Sequence, residues 1–81
     1  MNTMTRIECL VRKICALPPE ADADDVIALL QELGWTMDRQ LGSHMVFIKA
    51  GEELLSIPLV SGRRVKRTYL RKICRMLELD A

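Results

Sequence analysis

The chain has 81 residues, with 12 basic and 11 acidic side chains and one histidine, and its formal net charge is +1. A chain of this length builds one small domain around a single core, which excludes a multidomain enzyme or a separate cofactor domain. The charge is unevenly divided, because residues 1–38 carry three basic and seven acidic side chains and residues 39–81 carry nine and four, so the second half is suited to an anionic partner.

The first third of the chain predicts two helices. Thr5 and Glu8 have the spacing of a capping box, and apolar residues then recur at helical spacing as far as Pro18, which predicts a helix over residues 6–16. Asp22 is a suitable N-cap for a second helix, and Gly34 suits its end. The apolar stripe expected on this second helix comprises Val26, Leu29, Leu30 and Leu33.

From Trp35 onward the pattern changes to that of short strands separated by turns. We predict strands over residues 35–41, 44–49 and 54–58, with a turn at residues 42–43 and another at 50–53. A polar loop at residues 61–64 precedes a last helix over residues 66–77. The order α-α-β-β-β-α predicts an α+β fold in which helices cover a three-stranded antiparallel sheet.

The three cysteines are odd in number and contain no Cys-x-x-Cys pair, which argues against a secreted disulfide scaffold. Cys9, Cys15 and Cys74 lie in or beside apolar helix stripes, so we expect them to be small buried groups. One histidine and scattered thiols do not supply a zinc ligand set, and we predict neither a metal nor a cofactor. Because the N-terminal residues lack a signal peptide or membrane span, we expect a cytoplasmic protein that does not enter a membrane.

A basic segment occupies the end of the chain. Arg67, Arg71 and Arg75 are four residues apart and would share one stripe of the last helix, where guanidinium groups can bind phosphate. A solvated basic face and ion pairs with the acidic second helix are the alternatives. Aromatic residues make up 4% of the chain, which favours contact with RNA backbone over base stacking. The predicted RNA contacts are Arg39, Lys49, Arg63, Arg64, Lys66, Arg67, Arg71, Lys72 and Arg75.

His44 is the only imidazole in the chain and directly follows Gly42 and Ser43. An imidazole titrates near neutral pH, so it can take the proton of a ribose 2′-hydroxyl or donate one to a leaving oxygen without a metal. A lone histidine is more often a surface or structural residue, and its position alone does not assign it a role.

Four segments in the same order resemble the HicA toxin family: LLQELGW (29–35), RQLGSHMVF (39–47), IP (57–58) and KRTYLRKI (66–73). The resemblance covers about residues 23–79 of a single domain spanning 1–81, so the helix over 6–16 is an addition. It implies a fold like the double-stranded RNA-binding domain and a metal-independent mRNA interferase inhibited by a HicB-like antitoxin. It also implies that His44 is catalytic, that Gly42 and Ser43 position it, and that the last helix contacts RNA.

Two positions depart from the family pattern. Many relatives have a second histidine directly after the first, where this chain has Met45, and another soon after the proline that corresponds to Pro58. One imidazole cannot be base and acid at once, so water or a cationic side chain must complete the reaction. Two other functions stay open: a noncatalytic RNA-binding domain, and a domain that binds an acidic protein.

Overall fold

The computed structural model describes residues 5–80, with side chains to residue 77, so residues 1–4 and 81 of the predicted domain lie outside the described residues. Along the chain the elements are α1 (Arg6–Cys15), β1 (Glu20–Asp22), α2 (Ala23–Glu32), β2 (Thr36–Leu41), β3 (His44–Ile48), β4 (Leu55–Pro58), β5 (Arg64–Lys66) and α3 (Arg67–Asp80). Strands β2, β3 and β4 form a three-stranded antiparallel sheet in that order. The predicted α+β class and this sheet are confirmed.

Helix α1 begins at the capping box expected from the sequence. The Glu8 amide donates to the Thr5 hydroxyl over 3.2 Å, and the Thr5 amide donates to the Glu8 carboxylate over 3.2 Å. The Thr5 hydroxyl also donates to that carboxylate, and these bonds lower the pKa of Glu8. The helix ends before Leu17, whose left-handed φ of 56° turns the chain into Pro18.

A second, two-stranded sheet was not predicted. Strands β1 and β5 pair antiparallel, with Ala21 opposite Val65 in their middle. The prediction of a loop through residue 64 is therefore wrong at Arg64, which lies in β5. Asp22 occupies the N-cap position of α2 but makes no capping hydrogen bond, because its carboxylate contacts Arg64 over 3.3 Å instead. Three-residue strands that pair across more than 40 residues have no local pattern to reveal them.

The core lies between the helices and one face of the three-stranded sheet. Met45 and Phe47 of β3 are fully buried there, and β4 contributes Leu55 and Ile57. All three helices and both described sheets supply members of this one cluster, which include Ile14, Val26, Leu29, Leu30, Val65, Leu70 and Ile73. Packing of apolar stripes onto a half-apolar sheet is what makes so short a chain a stable domain.

The prediction that the cysteines are small buried groups is wrong for Cys9, and for the half-buried Cys15 and Cys74 it missed their bond to each other. Cys15 at the end of α1 and Cys74 in α3 form a disulfide, with their Cα atoms 5.7 Å apart, and Cys9 is exposed. The two bonded residues are separated by 59 positions, so only the packing of α1 against α3 brings them together. The disulfide therefore attaches the added N-terminal helix to the basic helix.

Within residues 5–80, no helix is both long enough and apolar enough to cross a membrane.

Reduction of the Cys15–Cys74 disulfide should lower the free energy of unfolding by about 4 kcal/mol, because the bond closes a loop of roughly 60 residues in the unfolded chain. Urea unfolding with and without dithiothreitol measures the difference. Cys9→Ser is the matched control and should leave the oxidised midpoint unchanged, since Cys9 is exposed and free. Equal midpoints for the oxidised and reduced protein would contradict this expectation.

Candidate functional site

His44 follows a two-residue turn that joins β2 to β3. Leu41 and His44 are the last paired residues of the two strands, so Gly42 and Ser43 form the whole loop. Gly42 has a φ of +60°, whereas Ser43 is not among the described residues with positive φ, which fits a type II′ turn. This turn type takes glycine at its first loop position, and the Gly-Ser sequence supplies it.

Two hydrogen bonds fix the backbone of this turn. The Gln40 side-chain amide donates to the Gly42 carbonyl over 3.1 Å. The Leu59 amide, just beyond β4, donates to the Ser43 carbonyl over 2.6 Å. His44 is exposed, and it begins the central strand, opposite Leu41 on one side and Pro58 on the other. The site therefore presents one imidazole to solvent from a backbone held on both sides.

His44 lies on the sheet face that the helices do not cover, which we call the outer face. Side chains alternate between the two faces along β3. Met45 and Phe47 point into the core, so His44 and Val46 point to the other side, and Val46 is not part of the core cluster. Strand register and alternation then assign the remaining members. The outer face comprises Thr36, Arg39, Leu41, His44, Val46, Ile48, Ser56 and Pro58.

The outer face exposes two large apolar side chains to solvent. The large hydrophobic residues that are exposed in the described part of the chain are Leu41 (57%), Ile48 (43%) and Leu54 (56%), and the strand register places Leu41 and Ile48 on this face. Exposed apolar side chains on a sheet face that no helix covers are suited to contact with another molecule. Sequence patterning did not identify this face, because period-2 alternation separates the two sides of a strand without saying which side the helices cover.

The predicted RNA-contact residues do not form one surface. Arg63 contacts Asp24 over 3.4 Å, and Arg64 contacts Asp22 over 3.3 Å and Glu20 over 3.8 Å. These ion pairs join the basic half of the chain to its acidic half. The alternative interpretation, ion pairs with the acidic second helix, thus describes Arg63, whose partner Asp24 is in α2, whereas the partners of Arg64 lie in β1.

Arg67 is engaged with the chain between α1 and β1. Its Nε donates to the carbonyl of Leu17 over 2.8 Å and to that of Pro18 over 3.3 Å. Its backbone amide donates to the Pro19 carbonyl over 3.0 Å. The start of α3 is thereby tied to the segment that leaves α1.

The other predicted contacts are distributed around the fold. Lys49 directly follows β3, at the end of that strand away from His44. Its Nζ lies 5.9 Å from the centre of the Trp35 ring. Lys72 lines a cavity of about 240 Å³ together with Glu52 and Glu53. Lys66 is exposed at the end of β5, and Arg39 lies on the outer face. Arg71 and Arg75 line a groove of about 430 Å³ beside the disulfide.

In the part of the chain that the structure describes, no three His, Cys, Asp or Glu side chains come together as a group that could hold a metal ion.

Gly42→Ala should lower the free energy of unfolding by about 1–2 kcal/mol, because a side chain disfavours positive φ even though the space around Gly42 is open. It should also shift the NMR signals of the His44 ring. Gly51→Ala is the matched control, with φ of +80° and equally open space in the turn at the other end of β3. That variant should lose similar stability and leave His44 unshifted; unchanged stability for Gly42→Ala would refute the strain argument.

One family model matches most of the length of the chain. A family model described as the HicA toxin of bacterial toxin–antitoxin matches residues 23–79, from the start of α2 into the last turn of α3. No curated protein and no solved structure matches the chain. Helix α1 and strand β1 precede the matched region. Because the match covers more than two thirds of the 81 residues, the chain belongs to the HicA toxin family.

Proposed function

We propose that this protein is the toxin of a type II toxin–antitoxin module and cleaves mRNA with His44 as its catalytic residue. Members of the HicA family are toxins with endoribonuclease activity, and at the family level they act on RNA and pair with a HicB-type antitoxin. The observation that supports His44 is its placement: the only imidazole of the chain is exposed and follows a turn fixed by two hydrogen bonds. An exposed imidazole on an ordered turn can act as a base in RNA cleavage without a metal.

The reaction needs one proton transfer to begin. Neutral His44 accepts the proton of a ribose 2′-hydroxyl, and the 2′-oxygen attacks the adjacent phosphorus. The bond from phosphorus to the 5′-oxygen breaks, that oxygen takes a proton from water, and the resulting hydroxide takes the proton from the His44 imidazolium, which restores the neutral base. The products are a 2′,3′-cyclic phosphate and a 5′-hydroxyl end. No metal takes part in this sequence.

Basic side chains that lack acidic partners supply attraction for the RNA backbone. Within the described residues, no ion pair involves Lys66 or the α3 residues Arg71, Lys72 and Arg75. These four cations are therefore available for phosphate, whereas Arg63 and Arg64 already contact carboxylates. Their distribution favours an extended strand that bends around the domain, held by its backbone rather than by its bases.

The antitoxin has a suitable docking surface on the outer face. Leu41 and Ile48 are exposed there, and a protein partner gains free energy by removing them from water. Leu41 is paired directly with His44 across the two strands. A partner that buries these side chains also covers the imidazole, so binding and inhibition become one event.

His44→Ala should slow cleavage of an mRNA transcript by about 10²–10⁴-fold, the usual contribution of a general base. The purified wild-type and variant proteins are compared by RNA gel and by detection of the cyclic phosphate product. The variant should unfold like the wild type, because His44 is exposed.

EDTA is the control for metal independence and should not change the wild-type rate. Equal cleavage by wild type and His44→Ala would overturn the catalytic assignment and favour a noncatalytic RNA-binding domain. Loss of activity with EDTA would overturn only the metal-free mechanism.

Ile48→Asp should weaken inhibition by the co-expressed HicB-type antitoxin at least tenfold, measured against the variant's own uninhibited cleavage rate, because it places a charge among the exposed apolar side chains of the outer face. Titration of each toxin variant with antitoxin in the cleavage assay measures the effect. Cys9→Asp places the same charge at an exposed position of α1 and should be inhibited like the wild type. Full inhibition of Ile48→Asp would contradict the placement of the antitoxin on the outer face.

A further inference from the structure

Strand β2 contains a one-residue register shift that changes which side chains share a face with His44. Met37 is opposite Phe47, and Arg39 is opposite Val46, so Asp38 between them has no partner on β3. In an uninterrupted ladder, Asp38 would stand opposite Val46, and Arg39 would stand opposite the fully buried Met45. The β-bulge therefore places Arg39 on the outer face, and bulges are frequent where a strand directs a side chain toward an active site.

Two neighbouring rows of side chains cross the outer face at this point. One row is Leu41, His44 and Pro58, and the next is Arg39, Val46 and Ser56. Arg39 and Ser56 are therefore diagonal neighbours of His44, one on each side, at about 7–8 Å, a distance that a long side chain spans. Val46, between them, is only 5% exposed. Three polar side chains thus surround an apolar floor.

The contacts of Arg39 leave most of its donors available. Its Nη1 donates to the Asp38 carboxylate over 3.0 Å, so the bulge residue itself orients the guanidinium. The edge formed by Nε and Nη2 makes no hydrogen bond with the described residues. That edge has the geometry for two parallel hydrogen bonds to phosphate oxygens. The other predicted RNA contacts lie off the outer face, and Arg63, Arg64 and Arg67 hold internal contacts.

We propose that Arg39 is the second catalytic residue of the site and binds the phosphodiester that His44 cleaves. The inference rests on the proposed ribonuclease function and adds to it the position of the scissile phosphate, on the outer face above Val46. Arg39 stabilises the charge that builds up on the two nonbridging oxygens as the 2′-oxygen attacks, and Ser56 donates a hydrogen bond to the same phosphate. Arg39 transfers no proton, so water still protonates the 5′-oxygen.

The first test separates binding from catalysis. Arg39→Gln should lower kcat for a single-stranded RNA by about 10²–10³-fold and change KM by only a few-fold, because the lost interaction strengthens in the transition state. Arg39→Lys should recover part of the rate, and added guanidinium ion should partly rescue Arg39→Ala. Ser56→Ala should lower kcat several-fold. Arg12→Gln removes the same charge from exposed α1 and should leave kcat unchanged.

The second test needs no cleavage. A single-stranded RNA with 2′-O-methyl groups throughout cannot react, and its titration should shift the amide NMR signals of residues in the two rows. At saturating RNA, Arg39→Gln should lose the shifts in the row of residues 39, 46 and 56 while its overall affinity falls only a few-fold, and Arg12→Gln should retain them. Shifts confined to α3, or the same shifts in Arg39→Gln, would overturn the inference.

These experiments distinguish failure of the proposed ribonuclease function from failure of the role of Arg39. Activity that survives His44→Ala, or a wild-type protein that cleaves no RNA, overturns the proposed function together with the role of Arg39. Loss of activity in His44→Ala, with Arg39→Gln as active as Arg12→Gln, overturns the role of Arg39 alone.

Discussion

The register of the three-stranded sheet is the constraint on which the rest of the structure depends. Side chains alternate between the two faces of a strand, and burial of Met45 and Phe47 under the helices leaves His44 and Ile48 facing solvent. A shift of one residue would move the imidazole into the core and the core residues into water. The same apolar packing that stabilises the domain therefore also determines where its only histidine is presented.

The uneven charge of the chain is partly neutralised within the fold. Pairing of β1 with β5 brings Arg64 to Glu20 and Asp22, and the turn before β5 brings Arg63 to Asp24. Exposed ion pairs of this kind contribute little stability individually, but they occupy some of the hydrogen-bond donors of Arg63 and Arg64 and offset their charge. Counting basic residues thus overestimates the surface available to RNA, and the tertiary structure decides which cations remain.

The groups proposed for RNA cleavage and those proposed for antitoxin binding lie on the same surface, the outer face. It presents His44, with Arg39 on an adjacent strand, and beside them it exposes the apolar side chains Leu41 and Ile48. In the proposed mechanism, RNA uses the polar groups and the antitoxin uses the apolar ones, so the two ligands exclude each other sterically. Helix α1 lies outside the matched family region and is joined to α3 by the disulfide, which leaves the outer face open.

Features set by neighbouring residues were determined by the sequence itself: the capping box of Thr5 and Glu8, the helical stripes, and the Gly42-Ser43 turn that precedes the histidine. Each depends on contacts within a few residues, so local chemistry is enough to predict it. Only the tertiary structure decided the Cys15–Cys74 bond across 59 residues, the pairing of β1 with β5, the partners of Arg63 and Arg64, and the bulge that places Arg39 beside His44. These features depend on which distant segments pack together, and that choice is made by the free energy of the whole core rather than by any local pattern.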